Sequence, residues 1–160
     1  YVRSISPATP TAVAAPRKPA QAATAAAVSN IGRNGALLKS GEKLTGVTVT
    51  IAEGAAGLKG SLSDSSRGKL QIHLLPAEKE SADDVLRYAH ANTTGEGRFQ
   101  FKNIAPGRYL LLAKPVNEDS AKLVWNAAQR AVLRKEAEAA GNLVELAACQ
   151  RVNDFKLNVK

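Results

Sequence analysis

Residues 95–109 read GEGRFQFKNIAPGRY, and the fold turns on how this stretch is read. Phe99 and Phe101 alternate with Gln100 and Lys102, a period of two that puts both rings on one face of a strand and the polar groups on the other. Before them, Thr94-Gly-Glu-Gly97 has the composition of a hairpin connection. After them, Ala105-Pro-Gly-Arg108 fits a type II turn, with proline presetting φ at the first central position and glycine supplying positive φ at the second. Tyr109, Leu111 and Ala113 then resume the alternation as the next strand.

The same period continues on both sides. Upstream, Val47, Val49 and Ile51 alternate with Thr48 and Thr50, which predicts a β-branched strand with one face buried. Leu58, Gly60 and Leu62 begin a second strand after the Glu53-Gly54 turn. Leu70, Ile72 and Leu74 alternate with Gln71 and His73 in a third strand that Pro76 stops. Residues 78–84 (EKESADD) suit a short helical turn, and Leu86, Tyr88 and His90 point one way along a fourth strand. Downstream, one segment breaks the pattern. AKLVWNAAQRAVLRKEAEAA runs from Ala121 without Gly or Pro until Gly141, with Ser120 as the expected N-cap and Glu118 and Asp119 suited to the positive helix end. Trp125, Ala128, Val132 and Ala139 are expected to form its packing stripe, and Arg130, Arg134 and Glu138 an outer face with i,i+4 pairs. Leu143–Ala147 and Phe155-Leu157-Val159 are the last two strands expected. Short strands at regular spacing, joined by Gly and Pro turns, predict a mainly β fold: an antiparallel β-sandwich of about seven strands with one appended α-helix at about residues 120–140.

The first forty residues are different. SPATPTAVAAPRKPAQAATAAAVSN (residues 6–30) is Pro/Ala-rich and interrupted by Pro7, Pro10, Pro16 and Pro19, which favours an extended arm. Such a composition holds too little large apolar surface to offset the entropy of ordering unless it docks on something. Tyr1-Val-Arg-Ser-Ile5 ahead of it alternates like a strand. We therefore divide the chain into an N-terminal segment, residues 1–40, and a single β-sandwich domain, residues 41–160.

Composition narrows function further. Hydrophobic residues make up 44% of the chain, but 29 of them are alanine, so the larger apolar groups suffice for one core. No apolar run approaches the roughly 20 residues of a membrane-spanning helix. The chain has 22 basic and 14 acidic residues, a net charge of +8. Arg3, Arg17 and Lys18 sit in a first thirty residues without an acid. Such a balance supports weak contact with glycans or anionic surfaces, and the aromatic content of 4% argues against a nucleic-acid partner. The chain contains no methionine, so we expect a processed product or one part of a larger secreted protein. With Cys149 alone there is no internal disulfide and no thiolate cluster, and with only His73 and His90 no multi-histidine metal site. A His73–His90 metal pair is not expected, because no carboxylate stands at ligand spacing beside either. Cys149 is read as a small buried apolar group and not a nucleophile. Gly54–Gly60 (GAAGLKG) lacks the Gly-Lys-Ser/Thr ending of a phosphate loop. No catalytic residues, cofactor or metal are expected, and the chain is not read as an enzyme.

The stretch from Gly95 to Tyr109 resembles the carboxypeptidase regulatory-like domain family, whose members have a transthyretin-like (prealbumin-like) β-sandwich. The shared pattern is a Gly-containing turn, alternating aromatics, then Pro-Gly-x-Tyr opening the next strand. Val47–Gly60 is similar to the opening strand pair of the family, and the resemblance spans roughly residues 41–118. The helix and the Cys149–Val152 tail look like an extension found in large secreted bacterial members. The resemblance implies extracytoplasmic placement (secreted, envelope or periplasm) and a structural or interaction role without catalysis. Similar sandwich domains carry an internal Lys–Asn isopeptide bond promoted by a buried acid. Lys156 and Asn158 stand near the end here, but Ala113 occupies the acid's position, so no such bond is expected.

The leading expectation is a non-catalytic structural or protein-interaction module within a larger envelope or assembled, filament-like complex. Its contact with a protein partner, neighbouring subunit or domain is expected through Tyr1, Val2, Arg3, Ile5, Arg17 and Lys18, by strand addition or by draping of the arm. The alternative is a carbohydrate-binding sandwich in which Trp125 stacks on sugar. As a residue of the helix stripe Trp125 is expected to pack, and solvent exposure of its ring is what favours the sugar reading.

Overall fold

The computed structural model describes residues 1–7, 31–36, 38–41, 43–44, 46–64, 69–116 and 124–159. Most of the arm, including Arg17 and Lys18, and the expected N-cap Ser120 lie outside the described residues. In chain order the elements are β1 (Val2–Pro7), a single helical turn α1 (Ile31–Asn34), β2 (Val47–Ile51), β3 (Ala56–Leu62), β4 (Leu70–Pro76), 3₁₀ turns at Lys79–Ser81 and Val85–Arg87, β5 (Ala89–Asn92), β6 (Arg98–Ile104), β7 (Gly107–Pro115), the long helix α2 (Ala127–Ala140), β8 (Asn142–Leu146) and β9 (Arg151–Leu157).

Among the described residues the strands form three sheets: β6-β3-β9, β5-β4-β7-β8 and the separate pair β1-β2. The first two face each other, and their seven strands are the expected sandwich. Every pairing is antiparallel except β3 with β9, which is parallel. Alternation produces the core directly. Leu58, Phe99, Phe101 and Leu157 from one sheet meet Ile72, Leu74, Tyr109, Leu111 and Leu146 from the other, all of them buried. The Phe99 and Phe101 rings, two residues apart on one strand, meet edge to face with centroids 6.0 Å apart.

Four expectations about the deciding stretch and its flanks need correction. Thr94–Gly97 does close tightly, with the Gly97 amide donating to the Thr94 carbonyl at 3.0 Å, but it is no hairpin. Its flanking strands β5 and β6 belong to opposite sheets, so the turn carries the chain across the edge of the core. The Pro106-Gly107 link crosses back in the same way and is not a type II turn. Gly107 has φ 149°, far from the roughly +80° of that turn. The Arg108 amide donates to Glu78 Oε1, while the Ala105 carbonyl accepts the Tyr109 hydroxyl at 2.7 Å. The buried phenol thus holds the corner that a turn hydrogen bond was expected to hold. The fourth strand begins only at Ala89, because Asp84 caps a 3₁₀ turn that takes up Val85–Arg87. And β2 has no buried face: Val49 and Ile51 are 51% and 76% exposed, since β2 pairs with β1 and not with either sandwich sheet.

The helix is shorter and rotated relative to expectation. It starts at Ala127, where the Asn126 side chain accepts from the Ala128 and Gln129 amides, and it ends as expected at Gly141 in the left-handed region. Its buried side chains are Arg130, Leu133 and Ala137, whereas Ala128, Val132 and Ala139 are exposed. Leu133 and Ala137 pack on Leu75, Leu110 and Leu112, which cover the outer side of the four-stranded sheet. The arginines were expected outside because they are charged, yet they fasten the helix. Arg130 donates to the Val124 carbonyl at 2.9 Å and to Asp83 at 3.4 Å. Arg134 donates to the carbonyls of Pro76, Ala77 and Glu78 at the end of β4, and also pairs with Glu138 at 3.0 Å. Charge-assisted bonds of this kind tie the helix to the backbone at the end of β4.

Candidate functional site

The β1–β2 ribbon brings together four of the six residues expected to meet a partner: Tyr1, Val2, Arg3 and Ile5. Register sets its two faces. Val2 stands opposite Ile51, Ile5 opposite Val49 and Pro7 opposite Val47, with an irregularity between Val2 and Ser4 that restores the phase. Val2, Ile5, Val47, Val49 and Ile51 share one face, and Ser4, Ser6, Thr48 and Thr50 take the other. On the β2 half the apolar face is open to solvent. Since the ribbon has only two strands, each keeps one edge without a ladder partner among the described residues. Tyr1 closes the ribbon's end, its backbone carbonyl accepting from the Ala52 amide at 2.9 Å.

Trp125 is not a packing residue of the helix. It lies in the turn before the Asn126 cap and is 58% exposed. The benzo ring of the indole lies beside Gly35, where an added Cβ would stand 3.5 Å from it. The exposure that favours sugar stacking is therefore present, though on a single ring.

On the helix-covered side of the four-stranded sheet, β4 places His73 directly opposite His90 of β5, with ring centroids 6.3 Å apart. His73 is buried at 3% exposure, and its pKa is lowered from 6.5 to about 4. Burial is the main cause, followed by the His90 and Lys114 charges; Glu136 pulls weakly the other way. Glu136 is itself held by Lys114 at 2.7 Å. Next to His73, buried Gln71 donates to Asn92 at 3.3 Å, and its Oε1 has no hydrogen-bond partner. The Tyr109 phenol is pushed up to about 12 by burial, with nearby Arg87 opposing. Among the described residues no three His, Cys, Asp or Glu side chains gather as a metal site, and no helix is long and apolar enough to cross a membrane.

One further expectation needs correction. Cys149 is exposed, contrary to the buried reading, at φ 61° in the turn between β8 and β9. Lys156 and Asn158 are apart in role: the Lys156 amine donates to Ser61 Oγ at 2.9 Å, and the Asn158 backbone is clasped by the Asn142 amide.

The sequence reading missed the outward face of the β6-β3-β9 sheet. A groove of about 700 Å³ lies along it, lined by Lys59, Ser61, Arg98, Gln100, Asn153 and Lys156 among others. Its signal was present in the polar halves of strands whose apolar halves had been used to find the core. Compared with family models and with curated proteins, the chain matches none of them.

Proposed function

We propose that this chain is a non-catalytic, extracytoplasmic structural and protein-interaction module, one part of a larger envelope or assembled complex, and that it makes its contact through the β1–β2 ribbon. The observation that carries the reading is the ribbon's apolar face, with Val47, Val49 and Ile51 at 43%, 51% and 76% exposure. β-Branched side chains in register on an open face are a contiguous apolar patch of the kind that marks contact surfaces. The open strand edges add backbone donors and acceptors that another extended segment would pair with. Extracytoplasmic placement rests on the likeness of Gly95–Tyr109 to the carboxypeptidase regulatory-like family. A photo-crosslinking residue placed in turn at Val49, Thr50 and Glu138, in cells producing the protein, tests the contact. Adducts should form from Val49, on the apolar face, and not from Glu138 on the helix. Equal yields from both sites would sink the proposal.

A second reading, carbohydrate binding, is favoured by the exposed indole of Trp125. Quenching of Trp125 fluorescence by oligosaccharides, protected against acrylamide in step with sugar concentration, is its test. An indole that stays equally accessible to acrylamide at saturating sugar removes it.

A further inference from the structure

We infer that the outward face of the β6-β3-β9 sheet is a binding surface for an acidic polysaccharide, independent of both the ribbon and Trp125. The four-stranded sheet has its outer side covered by α2, whereas this sheet presents its outer side to water. A solvated sheet face needs polar side chains of either sign. Here they are nearly all of one sign. Lys59, Arg98, Lys102, Arg151 and Lys156 are exposed and stand on three neighbouring strands. Register places them in rows: Arg98, Ser61 and Lys156 in one, Lys59 beside Gln100 in the next, and Gly57 beside Arg151 in the third. With about 7 Å between same-face residues of a strand and about 4.8 Å between strands, the charges share a patch within about two Debye lengths at physiological salt.

The usual remedy for such crowding is a carboxylate on the adjacent strand. Among the described residues only Arg98 has a carboxylate partner, and that is Glu96 of the turn before its own strand, at 3.1 Å. Among the described residues Lys59, Lys102, Arg151 and Lys156 have no carboxylate at ion-pair distance, and Asp154 is the single acid lining the groove. Gly57 helps to build the surface. It leaves room for Arg151 to lie across the sheet, where a Cβ would stand 3.0 Å from the guanidinium. The result is a shallow groove of about 700 Å³ in which three cations, Lys59, Arg98 and Lys156, face the single acid Asp154, with Lys102 and Arg151 on the same sheet face beyond it.

The neutral groups of the groove select among anions. Gln100, Asn153, Asn92, Ser61 and Thr94 offer amides and hydroxyls that match sugar hydroxyls between the charged positions. Among the described residues Phe99 is the groove's single aromatic and is only 4% exposed, so single-stranded nucleic acid finds no stacking platform there. Among the described residues no large apolar side chain is exposed on the face, which disfavours both a protein partner with an apolar centre and insertion into a bilayer.

Titration calorimetry of the whole chain with oligogalacturonate, a polymer of carboxylated sugars, is the test. Dextran sulfate, neutral dextran, oligo-dT and vesicles containing anionic lipid serve as comparison probes. We expect binding to the carboxylated and sulfated glycans, at least tenfold weaker binding in Lys59→Gln/Arg151→Gln, and near-normal binding in Lys43→Gln/Lys135→Gln, which removes the same charge elsewhere. All four side chains are exposed, so the fold should persist, and circular dichroism checks that it does. Equal loss in the two double variants, equal binding of neutral dextran, or tighter binding of oligo-dT or vesicles through Lys59 and Arg151 would each overturn the inference. A ribbon variant such as Val49→Lys should leave this affinity unchanged, so the result stands apart from the ribbon reading.

Discussion

Acid should destabilise this protein through one buried ring. His73 has its pKa lowered from 6.5 to about 4 because it is buried on the outer side of the four-stranded sheet, with His90 and Lys114 adding positive charge nearby. The folded state therefore favours the neutral imidazole. Its contribution is complete above pH 6.5, is lost as pH falls from 6.5 towards about 4, and is level below that, because in this window the unfolded chain binds a proton that the folded chain refuses. At about 1.36 kcal/mol for each tenfold step, the full difference is about 3 kcal/mol, of which about 2 kcal/mol is lost by about pH 5. That is a large fraction of the stability of a small domain. The assay is urea unfolding of the wild type and His73→Leu at about pH 7.5 and about pH 5. Other titrating groups act in both proteins, so the difference between them isolates the ring. The variant should lose about 2 kcal/mol less than the wild type over this interval. If both decline equally, within about 0.5 kcal/mol, the buried neutral imidazole is not what makes the wild type acid-sensitive.

Three other substitutions test how the sandwich is held. Tyr109→Phe removes the 2.7 Å bond to the Ala105 carbonyl and leaves that buried acceptor unpaired, which should cost about 1–3 kcal/mol in urea unfolding; no change would mean that the phenol does not hold the corner. Gly60→Ala puts a methyl 2.5 Å from the Phe155 carbonyl and 2.6 Å from the Phe99 ring, so we expect about 3 kcal/mol of destabilisation and a lower melting temperature, against a neutral result if β3 and β9 separate freely. Cys149→Gly relieves a left-handed backbone at φ 61° and should raise stability by about 0.5–1 kcal/mol; a loss would show that the thiol side chain contributes more than the strain removes.

The apolar side of the molecule was open to reading from sequence alone. Period-two alternation in Leu70–Leu74, Phe99–Phe101 and Tyr109–Leu111 placed the strands and their core-facing side chains, because a strand sends alternate side chains to opposite faces whatever it packs against. Gly141 ended the helix as expected, since its conformation is a local property of the backbone. Where the strands pair is not local. Two short turns of ordinary hairpin composition carry the chain between sheets, and nothing within Thr94–Gly97 distinguishes a turn joining neighbours from one crossing the core. The helix face was misread for a related reason. Hydrophobicity pointed to Trp125 and Val132, but the carbonyls of Pro76, Ala77 and Glu78 accept from Arg134, and only the folded chain brings that side chain to them.

The two candidate surfaces divide along the same line. Sequence by itself determined that Val47, Val49 and Ile51 share a face, and that Lys59, Arg98 and Lys102 stand opposite core residues. Only tertiary structure decided that the first set is left uncovered, because β2 pairs with β1 outside the sandwich, and that the second set gathers on one field, because β9 runs parallel beside β3 and adds Arg151 and Lys156. Burial and summed charge depend on which strands become neighbours, and that is settled by packing across the whole chain.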